Sequence, residues 1–272
     1  MTERDPVPTG PPDEPGLEPD LEEVPRGAGA RLPREQSLVL LREGELELVG
    51  RLVTASNFTL FARARLERPG EPPLESACVY KPIRGEAPLW DFPDGTLAAR
   101  EVAAHAVSVE SGWDIVPPTV MRDGPLGPGM VQLWIDIDES VDIVDLVRRA
   151  DPDLRPVALF DAVVNNADRK AGHLLPHDGG RLHGVDHGVC FAVEPKLRTI
   201  LWAWRGQGLE PPEIEVLRHL RRSLDGALGA ELRALLAPAE VRATVRRLDA
   251  LLGACAFPQP DPDRPAIPWP WY

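Results

Sequence analysis

The sequence predicts an α+β fold of two lobes, an N-terminal antiparallel sheet with one helix followed by a mainly helical C-terminal lobe. Three observations carry that expectation. Short alternating runs recur between about residues 45 and 136 around a single helical stretch. Past Glu139 the apolar spacing becomes helical, and residues 212–252 are dominated by leucine, alanine and arginine. Proline-rich segments, 1–36 and 258–272, flank the whole.

Each element follows from its local pattern. The first 30 residues hold eight acids, two arginines and seven prolines. Such a composition cannot bury enough apolar surface to offset chain entropy, so residues 1–36 are expected to be a disordered acidic leader. Residues 37–43 read as a short helix, 45–53 and 60–66 as a strand hairpin, and 76–82 as a third strand. Asp94 or Thr96 can cap a helix that runs to about Ser111, with Gly112 as its stop. Strand-like runs at 119–122 and 130–136 complete a sheet of about five strands, which assigns 37–136 to the first lobe. In the second lobe, 137–257, residues 141–149 and 156–164 carry helical spacing and two short strands flank Gly179-Gly180. The tail, 258–272, ends with Trp269, Trp271 and Tyr272, and docking on the protein's own surface is the favoured expectation.

The formal charge of −13 argues against a surface built for nucleic acid or anionic lipid, both of which need a basic face. Cys78, Cys190 and Cys255 lack metal-type spacing, and no apolar run approaches the roughly 18 residues that span a bilayer. A soluble, cytoplasmic protein with no integral membrane association is expected. Six histidines occur, four of them between His173 and His187. The pairs His173/His177 and His183/His187 are four apart, but Pro176 and Gly184 interrupt the helix that such a zinc site needs.

The order of chemical groups is more informative. Lys81 ends an apolar strand (Cys78, Val79, Tyr80), where a charge is costly unless paired, and Glu101 lies twenty residues on in the helix. A lysine reaching out of an edge strand and a solvated helix glutamate would give the same residues. Residues 163–175 run from an apolar helix end through Asn165-Asn166-Ala167-Asp168-Arg169-Lys170 and back to leucines. There Asp168 is the candidate to orient or deprotonate an acceptor hydroxyl, with Lys170 or Arg169 offsetting phosphate charge. A helix C-cap and turn would also account for that segment. Asp186, after an apolar residue and before a glycine-containing turn, is a candidate metal carboxylate. Together these are the parts of phosphoryl transfer: a cation on the nucleotide, metal ligands and a group on the acceptor.

Residues 40–255 resemble the kinases related to phosphatidylinositol 3- and 4-kinases, specifically a small actinobacterial branch. The likeness rests on Val79-Tyr80-Lys81-Pro82, Arg100-Glu101-Val102-Ala103-Ala104, Val116-Pro117-Pro118-Thr119, Asn166-Ala167-Asp168-Arg169 and Val185-Asp186-His187-Gly188. It implies a two-lobed protein-kinase-like fold, ATP and Mg²⁺ or Mn²⁺ as cofactors, and an acceptor hydroxyl on a metabolite, protein or lipid. It further implies that Ser56 and Asn57 cover the phosphates, that residues 132–135, from Gln132, receive adenine, and that His173 with Asp186 binds metal. His173 stands where that family usually has asparagine, so a nucleotide-binding pseudokinase stays open, as does AMP transfer by the same cleft.

Overall fold

Alternation along the early strands builds one buried sheet face. In the computed structural model, which describes residues 27–29, 32–52, 58–177 and 180–272, five strands form an antiparallel sheet. They are β1 (Glu45–Arg51), β2 (Leu60–Arg68), β3 (Glu71–Pro82), β4 (Thr119–Gly124) and β5 (Gly127–Leu133), in the order β1-β2-β3-β5-β4. Leu46, Leu60, Ala62, Ala64, Cys78, Tyr80, Val131 and Leu133 point to one side and pack on Leu40 and Leu41 of α1 (Arg34–Glu43). The other face carries Lys81 and Met130, which sit opposite each other in register. β3 begins five residues before the expected start because Gly70, at φ 77, turns the chain so that Glu71 pairs with Arg68. Gly129 lets β5 approach β3 at the lysine: a Cβ there would stand 2.5 Å from the Lys81 carbonyl oxygen.

Helix α2 (Leu97–Ser111) joins the two lobes. Ala98 and Val102 meet Met130 of the sheet, while Ala103, Ala104, Ala106 and Val107 enter the large core of the second lobe. Gly112, left-handed at φ 72, ends it as expected. Its start differs from expectation. Thr96 is the N-cap residue but caps nothing with its side chain; the Glu86 carboxylate accepts from the Leu97 and Ala98 N–H groups at 3.0 and 2.8 Å. A carboxylate at this end complements the helix dipole whichever part of the chain supplies it.

The second lobe comprises α3 (Ile143–Arg148), α4 (Arg155–Val164), β6 (Leu174–His177), β7 (Arg181–Gly184), α5 (Pro211–Ser223), α6 (Ala227–Leu235) and α7 (Pro238–Ala254). α3 is shorter than its apolar spacing suggests because the Asp142 side chain accepts from Val144 and Asp145 N–H and sets the start. The C-terminal segment lies on this lobe. Thr199 N–H and Trp202 Nε1 both donate to Ala266 O, and Ala171 N–H donates to Trp271 O at 2.9 Å. No helix among the described residues is long and apolar enough to cross a membrane.

Candidate functional site

At the joint of the lobes, β3 and α2 bring a cation and a carboxylate together. Lys81 Nζ donates to Glu101 Oε1 at 2.8 Å and to Asp186 Oδ1 at 2.9 Å. Glu101 is almost fully buried, and its second oxygen accepts from His187 N–H at 2.8 Å. One helix residue thus fixes both the lysine and the backbone that carries Asp186. Asp186 itself is left-handed, at φ 61, a region that aspartate tolerates better than most residues. That turn lets its side chain face Lys81 while the next N–H faces Glu101.

Charge is unevenly shared at this point. Burial alone would lower the Lys81 ammonium, but Asp186 and Glu101 outweigh it and raise it above the usual lysine range. The Lys81 cation, against burial, holds the Asp186 carboxyl well below the usual carboxylate range. His173 Nε2 lies 3.4 Å from Asp186 Oδ2, and its buried Nδ1 has no hydrogen-bond partner among the described residues. Burial lowers this imidazole from the ordinary histidine value against the pull of Asp186, which favours the neutral form in which a ring nitrogen can bind a metal. Asp168 sits on the loop after α4, about one-third exposed at 31%, with Lys170 Nζ 2.9 Å from its Oδ2. The loop turns there because Asn166 Oδ1 accepts from Asp168 N–H at 3.0 Å.

Packing corrects two expectations. Arg169 does not face the cleft: it is fully buried, its Nε and Nη2 donate to Asp161 at 3.0 and 2.9 Å, and Nη2 lies 2.6 Å from His187 Nε2. A guanidinium so enclosed anchors the loop and has no access to a phosphate. Gln132 lies inside β5, buried, with Nε2 donating to Thr119 Oγ1 at 2.8 Å, so its side chain serves the sheet; the segment between the lobes begins at Trp134. Ser56 and Asn57 lie outside the described residues.

Several supporting residues were assigned no role from sequence. Asp161, alone in the apolar run of α4, gathers Arg169, Asn166 and Thr199 beneath the loop. Asn165, left-handed at the end of α4, binds the carbonyls of Ala192 and Glu194 and the N–H of Lys196. Arg100, beside Glu101, reaches the other way to Glu240 of α7 at 2.6 Å and to Cys190 O at 2.8 Å. A lone charge inside the apolar run of α4 was the available signal for Asp161; Arg100, next to Glu101 in α2, had none. The other histidines form no metal centre: His177 and His183 stack with ring centroids 4.3 Å apart, and no cluster of three or more His, Cys, Asp or Glu among the described residues could hold an ion.

A five-stranded antiparallel sheet over a helical lobe, with strand lysine, helix glutamate and loop aspartate meeting between them, defines a mixed α+β fold with its charged cluster at the joint. The chain belongs to the same family as protein Rv2133c of Mycobacterium tuberculosis, with which it is 42% identical over 272 residues, covering 87% of this chain and 96% of that protein. It is also similar to phosphatidylinositol 4-kinase gamma 4 of Oryza sativa subsp. japonica, 31% identical over 138 residues, 43% of this chain and 24% of the plant protein. Among solved structures, hydra Fam20 with sugar matches 81% of this chain and 86% of its own, at 14% identity and a TM-score of 0.48. The Helicobacter pylori proinflammatory kinase CtkA matches 80% of this chain and 94% of its own, at 12% identity and a TM-score of 0.45. No protein-family model matches the chain.

Proposed function

We propose that the chain is an ATP- and divalent-metal-dependent phosphotransferase acting on a hydroxyl acceptor. The observation that carries this reading is the Lys81 ammonium held between Glu101 and Asp186. A strand lysine paired with a helix glutamate is the arrangement that grips the α/β-phosphates of a nucleotide. In this role Lys81 binds and orients ATP, and Glu101 keeps the ammonium in place.

The donors present suit a nucleotide-bridged metal. Asp186 supplies carboxylate oxygens and His173 an imidazole, too few to cage an ion alone, which matches ions that complete their coordination with phosphate oxygens and water. Asp186 and His173 would hold it, and when bound it supplies positive charge against the nucleotide phosphates. The nitrogen donor shifts preference toward Mn²⁺ relative to Mg²⁺.

Asp168 receives the proton of the acceptor hydroxyl as its oxygen bonds to the γ-phosphorus and the bond from that phosphorus to the β-bridging oxygen breaks, releasing ADP. Lys170, next to Asp168, offsets charge on the transferring phosphoryl group. The test is nucleotide turnover by purified protein with Mg²⁺ or Mn²⁺, separating ADP from AMP with pyrophosphate, in the wild type, Asp168→Ala and Asp186→Ala. ADP that falls at least 100-fold in both variants is expected; equal turnover in all three removes the mechanism. Pyrophosphate release with AMP left bonded to the acceptor, lost in both variants, assigns AMP transfer to this cleft instead.

A second reading is favoured by His173 at the metal position and by Lys170 so close to Asp168. A nucleotide-binding regulatory module would show an ATP-dependent rise in melting temperature that needs Lys81 and Asp186, without turnover on any acceptor.

A further inference from the structure

Behind the loop that carries Asp168 lies a second cavity, unused by the reading above and separate from the Lys81 site. It has a volume of about 720 Å³, in the range of small-molecule sites. Its walls come from α4, the segment 195–198, α7 and the C-terminal segment, which Ala266 fastens to Thr199 and Trp202. Trp202, Leu251 and Phe257 give it an apolar body, with Trp90 at its exposed rim.

Its charge is opposite in sign to that of the protein. Four cations line it, Lys196, Arg198, Arg247 and Arg264, against two carboxylates, Asp91 and Asp261. Lys196 is paired with Asp91 at 2.8 Å and Arg264 with Asp261 at 3.7 Å. Arg198 and Arg247 have no carboxylate partner among the described residues. Arg247 gives its hydrogen bonds only to the carbonyls of Val163 and Ala192 and to the Thr244 hydroxyl. Burial, with Arg246 adding to it and Cys190 and Glu240 offsetting it only in part, depresses its guanidinium to about 10. Arg198 is half-buried, and its Nε is enclosed with no hydrogen-bond partner. In a chain of formal charge −13, two guanidinium groups left without carboxylates in one apolar cavity require a countercharge from outside.

We propose that this cavity is a ligand site for a small organic anion, an apolar body carrying one oxyanion head group that Arg198 and Arg247 receive. A planar guanidinium suits a carboxylate, sulfonate or phosphate head, and the aromatic and leucine walls suit the body. Asn165 and Ala167 belong to the wall, and Arg198 O accepts from Arg169 N–H at 3.0 Å, so the site shares its backbone with the loop of Asp168. The inference does not rest on phosphotransfer.

The test uses two fluorescent probes with one aromatic body, 8-anilinonaphthalene-1-sulfonate and neutral N-phenyl-1-naphthylamine, titrated into the full chain. The sulfonate is expected to bind one per chain and at least tenfold tighter than the neutral probe. Arg198→Ala should weaken it at least tenfold, and Ala254→Phe, which places a ring in the cavity, should weaken both probes. Asp186→Asn and saturating ATP should leave binding unchanged. Equal affinity for the two probes in the wild type overturns the proposal even where a variant fails to fold. Sulfonate binding that is indifferent to Arg198→Ala and Ala254→Phe, or displaced by ATP, overturns it as well.

Discussion

Asp161 and Asp168 are seven residues apart and opposite in physical character. Asp161 is fully buried with Arg169, and removing one partner of such a pair leaves an uncompensated interior charge. Asp161→Ala should therefore cost about 3 to 5 kcal/mol of unfolding free energy. Asp168 and its Lys170 partner are both partly exposed, so the pair is screened by solvent and Asp168→Ala should change stability by about 1 kcal/mol or less. Urea denaturation of the two variants checks this, and similar losses in both would contradict the division between anchor and reactive group. Lys81 belongs to the reactive side. Lys81→Met should lower ATP turnover by about 100-fold or more, with Lys81→Arg giving little rescue because a planar fork does not replace a point charge placed between two carboxylates. Turnover within threefold of wild type in Lys81→Met would remove the lysine from the chemistry.

At the level of elements, α2 determines how the lobes meet. Its Arg100 is buried, binds Glu240 of α7 and lies over the Phe92 ring at 4.9 Å. Arg100→Ala should cost about 3 kcal/mol or more, and Glu240→Gln, which keeps one acceptor oxygen, should cost less. Thermal melts of both variants give the order, and its reversal would show that α2 is held by its apolar faces alone. Elements such as α2 were legible in the sequence because the cues were local: apolar spacing for the body and Gly112 for the stop. The extents of β2 and β3 were read short, since their polar ends, at 67–68 and 71–75, pair across a turn and carry no apolar alternation. Glu86 as the cap of α2 was not legible, because a cap supplied from eleven residues upstream leaves no mark at the helix start. The order Lys81, Glu101, Asp168, Asp186 was visible as spacing. The burial of Arg169 was not, since in a polar loop an anchoring arginine and a phosphate-facing one look alike until the fold shows which way each points.

Across the whole molecule, acid should loosen the joint between the lobes. His105 on α2 and His183 on β7 are each depressed to about 4, both chiefly by burial. For His105 the Arg34 and Arg42 cations add to burial and Asp114 opposes it; for His183 the stacked His177 adds, while its bond to Ile115 O and the Asp114 carboxylate oppose. In the folded chain both stay neutral until about pH 4, whereas unfolded they take up a proton near the ordinary histidine value of about 6.5. The unfolded state thus binds more protons between those values, so stability falls as pH is lowered from 6.5 to 4, with no further loss from these groups below that. The chain's excess of acids pulls the other way, because protonating carboxylates relieves self-repulsion in a protein of charge −13. A wild-type pH profile mixes the two effects, and a difference measurement separates them. His105→Leu removes one histidine and leaves the carboxylates, so its stability relative to wild type should improve by about 2 kcal/mol on going from pH 7 to 4.5. Urea unfolding of both proteins at the two pH values measures that double difference, and a value near zero would mean that His105 can take its proton without the joint opening.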